Sequence, residues 1–306
     1  MKKLNLLFKV ALTVCLPCIS GLNGMGQDSP QHEFLIIEDG GTGPYKAVVH
    51  GEPDLPGYTI FRPQDLNVFG NDKSLPVLLW GNGGCANSSA GFRNFLNEIA
   101  SYGYLVIAIG PYETLVVPDQ EIIRQPTKSA QLTEALDWIT HENQNRNCMF
   151  YGKVNTSKAA VAGQSCGGLQ AMEVSTDSRI TTTLICNSGL LNSPPPAGIT
   201  VPVVSKDVLQ ELHAPLIYII GGEADIAFPN ASDDFSKITK VPVVMVNQEV
   251  GHGGTYAQPH GGDFAVAALA WLNWQLKGDQ EASKMFLGED CGLCKETDWK
   301  VEVKGF

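Results

Sequence analysis

Gly163-Gln164-Ser165-Cys166-Gly167 follows the run Lys158-Ala159-Ala160-Val161-Ala162 and precedes a stretch, residues 169–176, that can be helical. This order predicts a strand, a sharp turn and a helix, with a serine at the apex. The pattern is G-x-S-x-G, and its two glycines have a steric task. A strained turn brings the residues on either side of the serine close together, where side chains would collide.

Working outward, apolar runs bounded by turn residues predict strands at 33–37, 45–50, 58–62, 76–80, 104–109, 159–162, 181–186, 215–220 and 242–247. Helices are predicted at 90–101, 128–142, 167–176, 230–239 and 263–276, the last rich in apolar side chains that can pack on a sheet. Strands separated by turns come first, and strands alternating with helices follow. That sequence of elements predicts an α/β fold: a mostly parallel central sheet, helices on both faces and antiparallel N-terminal strands. Ser193-Pro194-Pro195-Pro196 reads as a stiff loop within one domain, and residues 187–212 are too few for a separate lid. Residues 112–126 and 188–206 are the expected walls of a cleft.

The chain has 306 residues, 43% hydrophobic and 17% charged, which suits a large globular domain. Lys2 and Lys3 precede an apolar stretch at 4–19, and Gly24-Met25-Gly26 closes it. This is the layout of a secretory signal peptide, residues 1–26, leaving residues 27–306 as a single domain with a cysteine-containing tail at 286–306. Removing the leader takes three lysines and leaves 18 basic against 32 acidic residues, a charge of −14. An acidic surface disfavours nucleic acid and anionic membranes as partners, and a monomer is expected.

Six cysteines remain after the leader: Cys85, Cys148, Cys166, Cys186, Cys291 and Cys294. An exported chain permits disulfides. Cys291-Gly292-Leu293-Cys294 lacks the second ligand pair a zinc site needs and reads as a local clasp. Cys85 and Cys166 both belong at the carboxyl end of the sheet, either bridged or as two small buried thiols. Cys148 precedes its strand and Cys186 ends one, so those two are not expected to pair.

A serine hydroxyl needs a base within reach, and the base needs a carboxylate to orient it. With a serine on such an elbow the expected chain order is serine, acid, histidine. Of the three histidines after Ser165, His213 precedes a strand and belongs at the far end of the sheet. His252 lies between glycines just after the last predicted strand and is favoured as the base, with His260 as competitor. The run 216–220 ends in Gly221-Gly222-Glu223-Ala224-Asp225, making Asp225 the favoured acid and Glu223 the runner-up. Asp233 and Asp234 fall in a predicted helix and read as surface charges. An oxyanion needs backbone donors. The N–H of Cys166 is one, and the glycine-rich loop Gly81-Asn82-Gly83-Gly84 supplies the other, from Asn82 or alternatively Gly83.

These residues together resemble a secreted serine esterase of the α/β-hydrolase type, in the dienelactone-hydrolase and cutinase-like branch that includes polyester-degrading enzymes. The likeness spans residues 75–276. It is carried by Trp80-Gly81-Asn82, by Phe95-Leu96-Asn97-Glu98-Ile99-Ala100-Ser101-Tyr102-Gly103-Tyr104, by residues 163–168, by Gly222-Glu223-Ala224-Asp225, by the His252 loop and by Ala270-Trp271-Leu272. The resemblance implies an α/β-hydrolase fold and two-step ester hydrolysis through an acyl-enzyme, with neither metal nor organic cofactor. Small esters, acylated polysaccharides and polyesters are the substrate classes it suggests. Trp80 stands where many relatives carry histidine or proline. Asn187-Ser188-Gly189 lacks the aromatic that polyester hydrolases often place beside the scissile ester, which weakens the case for polyester as the preferred substrate. A peptidase or amidase with the same triad, and a binding protein on a hydrolase scaffold, are the competing readings.

Overall fold

Among the described residues nine strands align in one sheet in the order β1-β2-β4-β3-β5-β6-β7-β8-β9. They are β1 (Ala47–His50), β2 (Tyr58–Pro63), β3 (Leu75–Gly81), β4 (Leu105–Ile109), β5 (Val154–Gln164), β6 (Ile180–Cys186), β7 (Leu216–Ile220), β8 (Val243–Gln248) and β9 (Trp299–Lys304). The computed structural model describes residues 34–70, 72–195, 198 and 200–306. The leader predicted at 1–26 lies outside them. Pairing is antiparallel for β1/β2, β2/β4 and β8/β9, and parallel for every pair from β4 through β8.

The helices are α1 (Arg93–Ser101), α2 (Glu113–Val116), α3 (Gln120–Ile123), α4 (Ala130–Glu142), α5 (Cys166–Val174), α6 (Phe228–Lys237), α7 (Gly262–Lys277) and α8 (Gln280–Ser283). Both faces of the sheet are covered. Leu78, Trp80, Ala160, Ala162, Leu184 and Ile219 point toward α1 and α7. Val77, Leu79, Val161, Ile185 and Tyr218 point toward α4 and α5. Successive residues of a strand face opposite ways, so a strand buried on both sides reads as an unbroken apolar run. That is why the central strands were conspicuous in the sequence. Helix α7 carries Asp263 in its first turn and Lys277 in its last, complementing the helix dipole, and stops at Gly278 with φ 72°.

Four expectations are corrected. Of the strand predicted at 33–37, the described residues 34–37 form none: Leu35 makes an isolated bridge to Val49, and a 3-10 turn follows at Glu38–Gly40. The C-terminal tail is more than a clasp, because after the Cys291–Cys294 disulfide it continues into β9, paired along the whole of β8. Helix α6 begins earlier than predicted, since Pro229 suits its first turn, where no amide hydrogen is required. Asp234 is no surface charge. It is fully buried and accepts hydrogen bonds from Leu190 N, Lys206 Nζ and Tyr218 Oη. Asp233 remains partly exposed, between Lys206 and Lys237.

Candidate active site

In the sheet β3 lies between β4 and β5, so the chain leaves β3 toward one side and returns through β5 on the other. Such a switch point opens a crevice at the carboxyl ends of the strands. Gly81 at the end of β3 is opposite Gly163 near the end of β5. The glycine-rich loop and the serine turn therefore start side by side.

Ser165 has φ 53° and ψ −116°, a conformation that L residues rarely adopt and that stores strain. The surroundings hold it there. Ser165 N donates to Cys186 O at 3.0 Å, and Ser165 O accepts from Gly168 N at 2.9 Å and from Ser188 Oγ at 2.7 Å. The expected steric role of the glycines is met. A Cβ on Gly163 would lie 2.2 Å from Gly167 O, and one on Gly167 would lie 2.1 Å from Gly81 O. Gly168 joins them, with Ser188 Cβ at 2.4 Å from the equivalent position.

Strands β7 and β8 deliver the other two groups. His252 Nε2 is 2.9 Å from Ser165 Oγ, and His252 Nδ1 is 2.6 Å from Asp225 Oδ1. The imidazole is half-buried, whereas the carboxylate is 1% exposed. Burial alone would push the Asp225 carboxyl up. Hydrogen bonds from His252, Ala227 N, Asn187 Nδ2 and Gly221 N outweigh it and hold the group below its ordinary value. Asp225 is therefore ionised at neutral pH and oriented through both of its oxygens.

The alternatives are separated from this line. Glu223 is exposed and paired with Lys300 Nζ at 3.0 Å. His260 has φ 55° and lies beside Glu38 and Glu98, with Nδ1 3.5 and 3.4 Å from their carboxylates. His213 Nε2 is 3.1 Å from Ile180 O, at the start of β6 and so at the opposite end of the sheet, as expected.

Asn82 is fully buried, and its side chain is fully engaged. Oδ1 accepts from Trp80 Nε1, and Nδ2 donates to Ala86 O and Ile109 O. Its side chain is thus committed within the fold. Cys166 is the first residue of α5, where amide hydrogens have no partner within the helix. A disulfide joins Cys85 to Cys166 across a sequence separation of 81 and ties the glycine-rich loop to the serine turn. Cys148 and Cys186 are free thiols. Beside Cys85 lies a cavity of about 400 Å³ bordered by Thr127, Ala130, Glu173 and Val201, and Ser165, Asp225 and His252 do not line it.

Two site residues escaped the sequence reading. Gln164, the variable residue before the serine, donates from Nε2 to His252 O at 2.9 Å. Asn187, noticed only as a missing aromatic, donates to Asp225 Oδ2 at 2.8 Å and to Gly251 O at 3.2 Å. The signal for Asn187 was its place directly after β6, whose neighbours β5 and β7 carry Ser165 and Asp225.

A serine on a strained strand-to-helix turn at a switch point, with an acid and a histidine arriving from later strands, defines an α/β-hydrolase. Residues 83–290 match the PETase family, described as PET hydrolase-like. The chain belongs to that family. It is also similar to the hydrolase ffsE of Aspergillus flavipes, 29% identical over 145 residues, which cover 46% of this chain and 31% of the relative. The chain thus spans about a third of the length of that curated relative.

Proposed function

We propose that the protein is a secreted carboxylic ester hydrolase that works through an acyl-enzyme on Ser165. The hydrogen-bonded line Ser165–His252–Asp225 carries this reading. His252 Nε2 takes the hydroxyl proton as Ser165 Oγ bonds to the ester carbonyl carbon. Asp225 fixes the tautomer with the proton on Nδ1 and stabilises the imidazolium. Backbone N–H groups of Cys166 and Asn82 receive the negative charge that develops on the carbonyl oxygen. His252 returns the proton to the leaving alkoxide, and the alcohol departs. Water, deprotonated by the same imidazole, then releases the acid and restores the serine.

Family membership supports polyester and related esters as the substrate class. The Asn187-Ser188-Gly189 segment offers no aromatic ring beside the ester, which favours substrates broader than aromatic polyesters. Export is supported by the lysine-led apolar leader and by two disulfides, bonds that persist in oxidising compartments. Among the described residues no helix is long and apolar enough to cross a membrane.

The test is hydrolysis of p-nitrophenyl acetate, butyrate and octanoate, and of an amorphous aromatic polyester film, by the wild type and by Ser165→Ala. The expected result is turnover of the soluble esters that falls by at least about a thousandfold in the variant. A wild type inert on all substrates, or a fully active Ser165→Ala, sinks the proposal.

A further inference from the structure

Asp225 is held by a side chain that is itself held. Asn187 Nδ2 donates to Asp225 Oδ2, the oxygen facing away from His252, and to the carbonyl of Gly251, the residue before His252. One amide thus grips both the carboxylate and the root of the imidazole loop. The Asn187 backbone is strained, with φ 42°, and its N–H donates to Ile219 O in β7. Asn187 is fully buried, so a wrongly turned amide would find no water to compensate it.

Turning is the central issue, because the two ends of a primary amide have nearly the same shape. With its oxygen toward Asp225, Asn187 would repel the carboxylate instead of binding it. Tyr256 removes that choice. Its hydroxyl donates to Asn187 Oδ1 at 2.5 Å, which leaves Nδ2 facing the carboxylate. Burial holds the Tyr256 hydroxyl well above its usual range, so it stays protonated and remains a donor. The ring is fixed between Trp80, Phe92, Phe95 and Phe264, with centroids 5.2 to 6.1 Å away. The Cys186 thiol is pushed up to about 12 by burial.

We infer that Asn187 and Tyr256 are positioning residues for the hydrolysis, extending the line Ser165–His252–Asp225 by two side chains. This rests on the triad reading above. Tyr256 selects the orientation of the Asn187 amide, and Asn187 holds the Asp225 carboxylate in the plane that His252 Nδ1 needs. Each donor polarises the next group, so the hydrogen bonds strengthen one another.

The experiment compares the wild type, Asn187→Asp, Tyr256→Phe and Ser165→Ala by kcat and KM across pH on p-nitrophenyl butyrate, with thermal unfolding alongside. Asn187→Asp keeps the shape and Oδ1 but replaces the neutral amide donor with a second carboxyl, so a role in packing alone would survive it. Expected are kcat losses of at least about tenfold in both variants, with KM within about twofold. In Asn187→Asp two buried carboxyl groups at hydrogen-bond distance share a proton, so the acid limb of kcat/KM moves from its wild-type position. If Asn187→Asp does not fold, the kcat of Tyr256→Phe decides. Wild-type kcat in the folded variants with an unmoved acid limb overturns the inference. If Ser165→Ala is inactive while both variants are normal, only this inference fails. If Ser165→Ala is active, the triad reading fails with it.

Discussion

Gln164 and His252 are joined by one hydrogen bond, from the Gln164 side-chain amide to the His252 carbonyl at 2.9 Å. The residue before the serine thereby anchors the loop that carries the base. A Cβ on Gly83 would come within 2.0 Å of the same amide's oxygen, so Gln164 is wedged between the imidazole loop and the glycine-rich loop. Gln164→Met keeps the bulk and removes the donor, leaving a carbonyl unpaired. The expected cost is about 1 kcal/mol of stability together with a several-fold loss of kcat/KM. Urea unfolding and steady-state kinetics read the two effects, and a variant unchanged in both removes Gln164 from the site.

The Cys85–Cys166 disulfide is expected to matter for both rate and stability. Breaking a link between distant residues costs typically about 2–4 kcal/mol. It also frees the glycine-rich loop from α5. Cys85→Ala/Cys166→Ala should unfold at lower urea and lose at least about tenfold in kcat with little change in KM. Cys291→Ala/Cys294→Ala, which opens only a three-residue separation remote from Ser165 in sequence, is the control and should keep its kcat. Equal kcat in the two double variants would separate the Cys85–Cys166 link from catalysis.

Gly167→Ala should disturb the elbow directly. Its new Cβ would meet the backbone oxygen of Gly81 at 2.1 Å, and backbone cannot rotate out of the way as a side chain can. Such overpacking costs about 1–3 kcal/mol and shifts the serine turn relative to its neighbours. Calorimetry together with labelling by a fluorophosphonate should show a lower Tm and slower labelling. Gly57→Ala, where an added Cβ meets nothing within 4 Å, should leave both unchanged.

Asp234 and Lys206 give a pH-dependent prediction. Burial pushes the Asp234 carboxyl up from its ordinary 3.8 to about 6, although Lys206, Leu190 N and Tyr218 pull the other way. A raised carboxyl means that the folded state binds more protons than the unfolded one between those values. Its contribution is therefore most favourable below 3.8 and declines as pH rises through about 6. Lys206→Met removes the cation and raises the folded value further. Destabilisation should be small near pH 4 and grow to about 2–3 kcal/mol at neutral pH. Denaturant titrations at several pH values measure it, and a loss independent of pH contradicts the assignment.

The three residues of the hydrogen-bonded line Ser165–His252–Asp225 each sit in a local turn with its own signature. Ser165 has flanking glycines, Asp225 follows an apolar run and a Gly-Gly pair, and His252 lies between glycines after the last parallel strand. The residues that hold this line were hidden because they act across long separations. Asn187 meets Asp225 38 positions away and Tyr256 69 positions away. No local pattern marks an asparagine as buried. Asp234 was misread for a related reason: a charged residue in an amphipathic helix looks solvated until Lys206 arrives from a distant loop. Strand β9 did leave a sign, in Trp299, Val301 and Val303 alternating with Lys300, Glu302 and Lys304.

That last strand closes an edge of the sheet. All six residues of β8 find partners in β9. A chain ending before Trp299 would present β8 as a bare, strongly apolar ribbon of unpaired amides and carbonyls, a template on which another chain could add. β9 replaces that rim with one bearing Lys300, Glu302 and Lys304, charges that resist further strand addition. A short segment far from Ser165 in sequence thus works against edge-to-edge association.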